Sequence, residues 1–229
     1  LFRSKENMNL KSLICYVVLG ILLMGSGIVV SCDSFNEDLP ECRLLVKFKY
    51  DYNMEFADTF HAQVDKVELY IFDKDGKFMF KQAEEGSALS TGNYLMEVEL
   101  PVGQYQFMAW AGARDSYDIT PLTPGVSTIT DLKLKLKREA SLIINKKMET
   151  LWYGEIIGVN FTGTEHQTET INLIRDTKIV RFGFQSYTGT WTLDMNDYDY
   201  EIIESNGHLG HDNSLQDDDV LSFRDRKSV

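Results

Sequence analysis

The chain of 229 residues is 43% hydrophobic and 25% charged, and its formal net charge at pH 7 is −12. This length suits one or two ordinary domains with a buried core. The acidic balance argues against a nucleic-acid partner, whose phosphates select basic patches, and against electrostatic docking to anionic lipid. The three cysteines include no CxxC pair, which argues against a zinc ribbon, a thioredoxin-type site and a disulfide scaffold.

The first predicted element is an uncharged apolar segment of roughly twenty residues that ends next to Cys32, long enough for a membrane-spanning helix. Gly25 and Gly27 would weaken such a helix. The stretch from Val29 to Cys32 instead resembles the lipobox of bacterial lipoproteins, in which the thiol is acylated and the cysteine becomes the new N-terminus. We predict that residues 1–31 are a lipoprotein signal peptide and that Cys32 is the lipidation site; an uncleaved helix and a plain secretory signal are the alternatives.

Residues 32–43 are predicted to form an acidic tether, because Asp33, Glu37 and Asp38 follow Cys32 closely. Acidic residues at this place resemble the surface-export signal of Bacteroidetes lipoproteins, although a solvated, flexible linker has the same composition. Acyl chains on Cys32 would hold the protein in the outer membrane through the hydrophobic effect. We therefore expect a surface-exposed outer-membrane lipoprotein, in which acylation removes Cys32 as a disulfide partner for Cys42.

From Leu44 onward, hydrophobic and polar residues alternate, which predicts half-buried β-strands. The clearest runs are LLVKFKYDY (44–52), KVELYIF (66–72), YLMEVEL (94–100), GQYQFMAWAG (103–112), DLKLKLK (131–137), INLIR (171–175), KIVRFGF (178–184) and YDYEII (198–203). Only the stretch from Asn53 to Val64 has spacing that suits a helical turn. Many short strands without a strong amphipathic helix predict an all-β fold of β-sandwich type.

A domain boundary is predicted at Asp176, where two strand-like runs meet without room for a hairpin loop. We assign residues 44–176 to an N-terminal β-sandwich and residues 177–229 to a partial C-terminal β-sandwich. The second segment contains only about four strand candidates, which is few for a core of its own. Its strands either form an incomplete second domain or join the first sheet.

Three acidic or histidine-containing stretches invite a metal-binding interpretation. Asp73–Lys77 contains the residue types of a calcium loop, but Gly76 comes two positions too early for an EF-hand, so a hairpin turn is favoured. Gly207–Asp212 holds two histidines beside a carboxylate, and its glycines favour a mobile loop over a metal site. Asp217–Asp219 is interpreted as a solvated loop rather than a set of oxygen ligands.

The sequence offers no catalytic constellation. It has no GxSxG elbow and no phosphate-binding loop, and His61 and His166 are isolated. We therefore predict no enzymatic activity and assign no catalytic, cofactor-binding or metal-binding residue. A hydrolase that uses two converging carboxylates remains an alternative, because the many acidic residues include no pair that the sequence selects.

Longer blocks of the chain resemble the FimB-type fimbrial anchor lipoproteins, or minor fimbrial subunits, of Bacteroidetes. These blocks are CDS (32–34), EDLPEC (37–42), YDYNMEFADTF (50–60), QVDKVELYIFDKDGKF (63–78), ELPVGQYQFMAWAG (99–112), LWYGEI (151–156), INLIRDTKIVRF (171–182) and DDDVLSFR (217–224). The resemblance covers nearly the whole mature chain, and its most specific part runs from YDYNMEF to DKDGK.

This resemblance implies tandem transthyretin-like β-sandwich domains and a lipidated Cys32 in the outer membrane. It also implies a role in anchoring a fimbrial shaft and influencing its length, with shaft subunits as partners joined by β-strand complementation. Family members usually continue with further strands after the DDDVLSFR block, whereas RDRKSV follows here, so we expect the second domain to be incomplete in this chain.

A second function stays open beside fimbrial anchoring. A surface lipoprotein could act as an adhesin that grips a glycan or a host protein through exposed aromatic side chains such as Trp110, Trp152 and Trp191. Aromatic residues in strands are more often part of a core, which favours the anchoring function.

Overall fold

The computed structural model of the chain describes residues 42–183, 187, 189, 194 and 197–224. The predicted signal peptide, the lipidation site Cys32, nearly all of the tether and Trp191 lie outside the described residues. Cys42 opens the described region, and its Sγ donates a hydrogen bond to the carbonyl oxygen of Gly163 at 2.7 Å. Within the described residues, no helix is both long and apolar enough to cross a membrane.

Strands dominate the described residues, which confirms the all-β prediction. The strands are β1 Leu44–Lys49, β2 Lys66–Asp73, β3 Phe78–Glu85, β4 Met96–Val98, β5 Gly103–Ala111, β6 Tyr117–Ile119, β7 Leu134–Leu136, β8 Ile143–Ile144, β9 Trp152–Phe161, β10 Gln167–Arg175, β11 Glu201–Glu204, β12 His208–Leu209 and β13 Leu221–Arg224. One α-helical turn, α1 (Phe60–Gln63), lies inside the stretch for which a helical turn was predicted, and two 3-10 turns span Ser87–Thr91 and Ile129–Asp131.

The largest sheet has seven strands in the order β3-β2-β5-β9-β10-β1-β4. Its pairs are antiparallel except that β1 runs parallel to β10, with Leu44 opposite Gln167. The first core cluster contains Val67 and Leu69 from β2 together with Val46 and Phe48 from β1. Because β1 and β2 stand far apart in the strand order, the sheet must curl over to let them share one core.

A second core covers the opposite face of β2 and β5. Tyr70 and Trp110 from that face pack with Leu134, Leu136 and Leu221, which belong to two three-stranded sheets with the orders β12-β7-β6 and β11-β13-β8. The central strands are therefore buried on both faces, whereas the alternation in KVELYIF predicted a half-buried strand; that part of the prediction is wrong.

The buried carboxylate of Glu68 shows how β2 tolerates this second cover. Its side chain accepts hydrogen bonds from Tyr70 Oη at 2.9 Å and Lys81 Nζ at 3.0 Å, and Lys66 Nζ lies 3.4 Å away. Burial raises the pKa of Glu68, but these donors outweigh it and hold the pKa below its ordinary value. Ion pairs and hydrogen bonds around Glu68 thus take the place of the solvent exposure that the sequence pattern predicted for this face of β2.

One strand prediction near the C-terminal end is wrong. The run KIVRFGF has no regular structure from Lys178 to Gly183 and pairs with no strand of the described residues. Beyond it, β12 pairs with β7, and β13 pairs in parallel with β8. These later strands therefore extend sheets that earlier residues begin, while the division at residues 176 and 177 stays a prediction.

Candidate functional site

The structure places the Asp73–Lys77 stretch in a hairpin between β2 and β3. The Oδ1 atom of Asp73 accepts hydrogen bonds from the N–H groups of Asp75 and Lys77, both at 2.9 Å. Gly76 has a φ of 75°, a left-handed conformation that glycine adopts without steric cost. The hairpin interpretation is confirmed, and the carboxylate that suggested calcium instead caps the turn.

The Gly207–Asp212 stretch holds one histidine in a strand and uses its carboxylate within the loop. His208 lies in β12, with its Nδ1 atom 3.2 Å from the carbonyl oxygen of Asp217. Asp212 accepts hydrogen bonds from the N–H and hydroxyl groups of Ser214. The residues described here include no cluster of three or more His, Cys, Asp or Glu side chains that could hold a metal ion.

Asp218 is not the solvated loop residue that the sequence predicted. Its side chain is fully buried and forms a bidentate ion pair with Arg138. Arg138 Nη1 donates to Asp218 Oδ1 at 2.6 Å, and Nη2 donates to Oδ2 at 2.8 Å. Burial raises the pKa of Asp218, but the hydrogen bonds from Arg138 outweigh that effect and hold the pKa below its ordinary value. The pair joins the end of β7 to the segment that leads into β13.

Trp110 and Trp152 are both buried in the cores. The Trp110 ring lies 5.4 Å from the ring of Tyr153, and Trp152 makes an edge contact with Tyr50 at 6.0 Å. The interpretation of these two residues as core aromatics is confirmed, so neither can stack on a glycan at the surface.

An apolar groove of about 1150 Å³ lies beside the two small sheets. One side of the groove is the segment 175–182, which is hydrogen-bonded to Leu151. The N–H of Leu151 donates to Thr177 Oγ1 at 3.2 Å, and the carbonyl oxygen of Leu151 accepts from the N–H of Asp176 at 3.0 Å. The apolar lining comprises Leu134, Leu136, Ile144, Met148, Leu151, Ile179, Val180, Phe182, Ile202, Leu209 and Phe223.

The groove carries a basic rim on an otherwise acidic protein. The cationic lining residues are Lys146, Lys147, Arg175, Lys178, Arg181 and Arg224. Only Asp176 and Glu201 oppose them among the lining residues that the structure describes. A basic rim around apolar walls favours an occupant with apolar side chains and acidic flanks.

One edge of the groove is an open strand. β11 is the outer strand of the order β11-β13-β8 in the described part of the chain. Its residues are all exposed, including Ile203 at 61%. Ile179 and Phe182 nearby are also largely exposed. An edge strand with apolar side chains is a template for the addition of another strand.

Polar atoms without partners lie in and behind the groove wall. The Oδ1 atom of Asp176 accepts a hydrogen bond from Asn213 at 2.9 Å. Asp176 Oδ2, Arg175 Nε and Asn213 Oδ1 are buried and find no hydrogen-bond partner among the described residues. Burial raises the pKa of Asp176 to about 6, because little counteracts the lost hydration of its carboxylate.

No functional role was predicted for the groove residues. The one available signal was the run from Lys178 to Phe182, in which apolar residues are flanked by cations. It was interpreted as a strand because its alternation matches a strand pattern.

Comparison with known proteins identifies a family. The model of the fimbrillin-A associated anchor proteins Mfa1 and Mfa2 matches residues 39–224. The minor fimbrium anchoring subunit Mfa2 of Porphyromonas gingivalis is 24% identical over 222 residues, which cover 93% of this chain and 66% of that protein. Its crystallised form, the fimbrial anchor protein Mfa2, shares the fold with a TM-score of 0.58 at 21% identity, over 80% of this chain and 66% of the other.

Solved structures from Bacteroides are more similar. A candidate polysaccharide-binding protein of Bacteroides thetaiotaomicron VPI-5482 is 92% identical with a TM-score of 0.79, over 80% of this chain and 65% of that one. A candidate adhesin of Bacteroides ovatus is 28% identical with a TM-score of 0.69, over 84% of this chain and 64% of the other. The chain thus spans slightly less than two thirds of the length of these relatives, and none of them is described as an enzyme.

Proposed function

Because the chain belongs to the family of fimbrillin-A associated anchor proteins, we propose that it is a minor fimbrial subunit that attaches fimbriae to the outer membrane. The lipid on Cys32 would supply the membrane contact, and the acidic tether would carry the β-sandwich away from the bilayer. The described residues would then supply the contact with a fimbrial shaft subunit.

The basic-rimmed apolar groove beside β11 is the observation that carries this proposal. A strand from a shaft subunit that pairs with β11 would direct alternate side chains into the groove. Its apolar side chains would cover the apolar lining, including Ile202 and Phe182. Acidic residues at its ends would meet cations such as Lys146 and Arg181. This is β-strand complementation with the partner strand as donor.

The membrane contact is tested by Cys32→Ala, with Cys42→Ala as the matched control. In cells that express either variant, surface labelling and membrane fractionation would locate the protein. We expect Cys32→Ala to lose membrane attachment and labelled palmitate, because the acylated thiol is gone. Cys42→Ala should keep both. A Cys32→Ala protein that stays in the membrane fraction with fimbriae attached would refute the anchoring proposal.

The groove is tested by Ile202→Lys, which places a charge on the exposed edge strand β11 within the groove lining. Val126→Lys is the matched control, since Val126 is also exposed, at 74%, but belongs to a turn next to β3 and does not line the groove. Loss of a buried contact should weaken shaft attachment about 30-fold, while thermal unfolding stays close to that of the wild type. Equal fimbriation of both variants in electron micrographs would exclude the groove as the attachment site.

An adhesin function is the second candidate, because the 92% identical protein of Bacteroides thetaiotaomicron is described as a candidate polysaccharide-binding protein. A glycan array separates the two functions: selective binding that Arg175→Ala abolishes, with shaft attachment intact, would support the adhesin.

A further inference from the structure

A short loop between β1 and α1 exposes three large apolar side chains. Tyr52, Met54 and Phe56 are 80%, 93% and 92% exposed, although they lie within five residues of one another. We call this segment the Tyr52–Phe56 loop. Large apolar residues scattered singly on a surface need no explanation, whereas a group of them on one loop favours an interaction site.

Hydrogen bonds hold the Tyr52–Phe56 loop in one shape. The amide nitrogen of the Asn53 side chain donates to the carbonyl oxygens of Tyr50 and Ala57, both at 2.9 Å, and to Thr59 Oγ1 at 3.0 Å. The side chain of Asp58 accepts from the N–H groups of Tyr50 and Phe60 at 3.0 and 3.1 Å. The loop therefore presents its apolar side chains without the entropy loss that a flexible loop would suffer on binding.

Both ends of the loop are fastened to the first core. Tyr50 and Phe60 are buried, and the Phe60 ring stacks on Phe48 with the centroids 5.8 Å apart. Phe56 itself has a φ of 53°, which is rare for a bulky side chain. The surrounding hydrogen bonds maintain this unfavourable backbone conformation, and the ring still points into solvent rather than into the core.

The position and charge of the loop indicate what it contacts. Cys42 and the loop lie beyond opposite ends of β1, about 20 Å apart for six residues of strand. The covalent path to the predicted lipid therefore leaves from the end away from the loop. Lys49 pairs with Asp51 at 2.5 Å, and Glu55 and Asp58 leave the loop and its flanks with a net negative charge. An acidic, apolar loop at this place does not suit an anionic bilayer surface.

We propose that the Tyr52–Phe56 loop is a second docking surface, for a protein whose contact surface is an apolar pocket with a basic rim. This inference rests on the proposed function for its partner, which is a fimbrial shaft subunit bound independently of the groove. Tyr, Phe and Met are enriched at protein interfaces, and a rigid loop that carries them can fill a partner's pocket as an anchor.

The test uses the double variant Met54→Ser/Phe56→Asn in the full chain. Asparagine tolerates the left-handed conformation at position 56, so the backbone should be kept. Purified fimbriae sheared from wild-type cells are immobilised, and binding of each variant is measured by biolayer interferometry. We expect a loss of affinity of about 30-fold or more, with an unchanged melting temperature. Val102→Ser, an exposed apolar residue (68%) of the β4–β5 turn, is the matched control and should bind like the wild type.

Two further arms separate the outcomes. Asn53→Ala keeps the apolar side chains but removes the bonds that hold the loop, so it should show a smaller loss of affinity. Vesicles of zwitterionic and of anionic phospholipid replace the fimbriae in the second arm. Wild-type affinity of the double variant for fimbriae, with Ile202→Lys still defective, would overturn this inference and leave the proposed function standing. If the wild-type chain bound vesicles and only the loop variant lost that binding, the inference would also be overturned. If the wild-type chain did not bind fimbriae, both the inference and the proposed function would be refuted.

Discussion

Burial of the Asp176 carboxylate predicts that the folded protein loses stability as the pH rises. An aspartate in a folded protein usually has the opposite effect. Burial raises the pKa of Asp176 from its ordinary value near 3.8 to about 6. The folded state therefore binds the proton more tightly than the unfolded state. This contribution to stability is complete below pH 4 and is lost as the pH rises through about 6. At neutral pH the ionised carboxylate therefore lowers the free energy of unfolding.

The magnitude follows from the size of that shift. About two pKa units correspond to roughly 3 kcal/mol at 1.36 kcal/mol per unit. Solvent near the groove reduces this, so we expect Asp176→Asn to raise the free energy of unfolding by about 1–3 kcal/mol at pH 8. The amide oxygen of the new side chain can still accept the hydrogen bond from Asn213. At pH 4 the two proteins should be nearly equal in stability.

Urea unfolding of the full chain at pH 4, 6 and 8, followed by tryptophan fluorescence, measures this difference. The buried Trp110 and Trp152 report on both faces of β5 and β9. Thr177→Val serves as the control, since it alters a neighbouring groove residue without a charge. If Asp176→Asn destabilises the protein equally at pH 4 and pH 8, then the carboxylate ionises without penalty and the reasoning from burial is wrong.

Two further predictions concern the ion pair between Asp218 and Arg138 and the close packing of Gly112. Asp218→Asn should destabilise the fold by about 2–4 kcal/mol, because the buried Arg138 loses its bidentate partner and keeps the weaker 3.4 Å contact with the exposed Asp219. Thermal unfolding should show a lower melting temperature for Asp218→Asn. The double variant Arg138→Met/Asp218→Leu removes both charges, so an equally large fall in its melting temperature would contradict the pairing. Gly112→Ala should be more harmful than Gly125→Ala, although both have positive φ. A Cβ at 112 would lie 2.0 Å from the carbonyl oxygen of Thr150, whereas position 125 is open, so soluble expression and circular dichroism should separate the two variants.

The strand β2 shows how far the local pattern could be trusted. Its alternation correctly predicted a strand and the inward face of Val67 and Leu69. The same pattern assigned Glu68 and Tyr70 to solvent, and the structure buries both. Their cover comes from β7 and β13, which lie far along the chain, so no local window of sequence contains it.

The candidate site was predicted less well than the fold, for a related reason. The run KIVRFGF has a strand pattern, but a strand also has to pair with a neighbouring strand, and the local pattern does not specify one. Without one, residues 178–182 become a groove wall with exposed apolar side chains. Asp218 was likewise interpreted from its acidic neighbours, although Arg138, eighty positions earlier, decides its environment.

By itself, the sequence determined the all-β class, the hairpin at Gly76 and the resemblance to fimbrial anchor proteins. These depend on residue spacing, on the backbone freedom of glycine and on blocks of sequence, all of which are local properties. Only the tertiary structure decided that β2 is covered on both faces and that the groove and the Tyr52–Phe56 loop are exposed. Burial is the reason, because it depends on which distant segments pack together and changes the solvation of every charge between them.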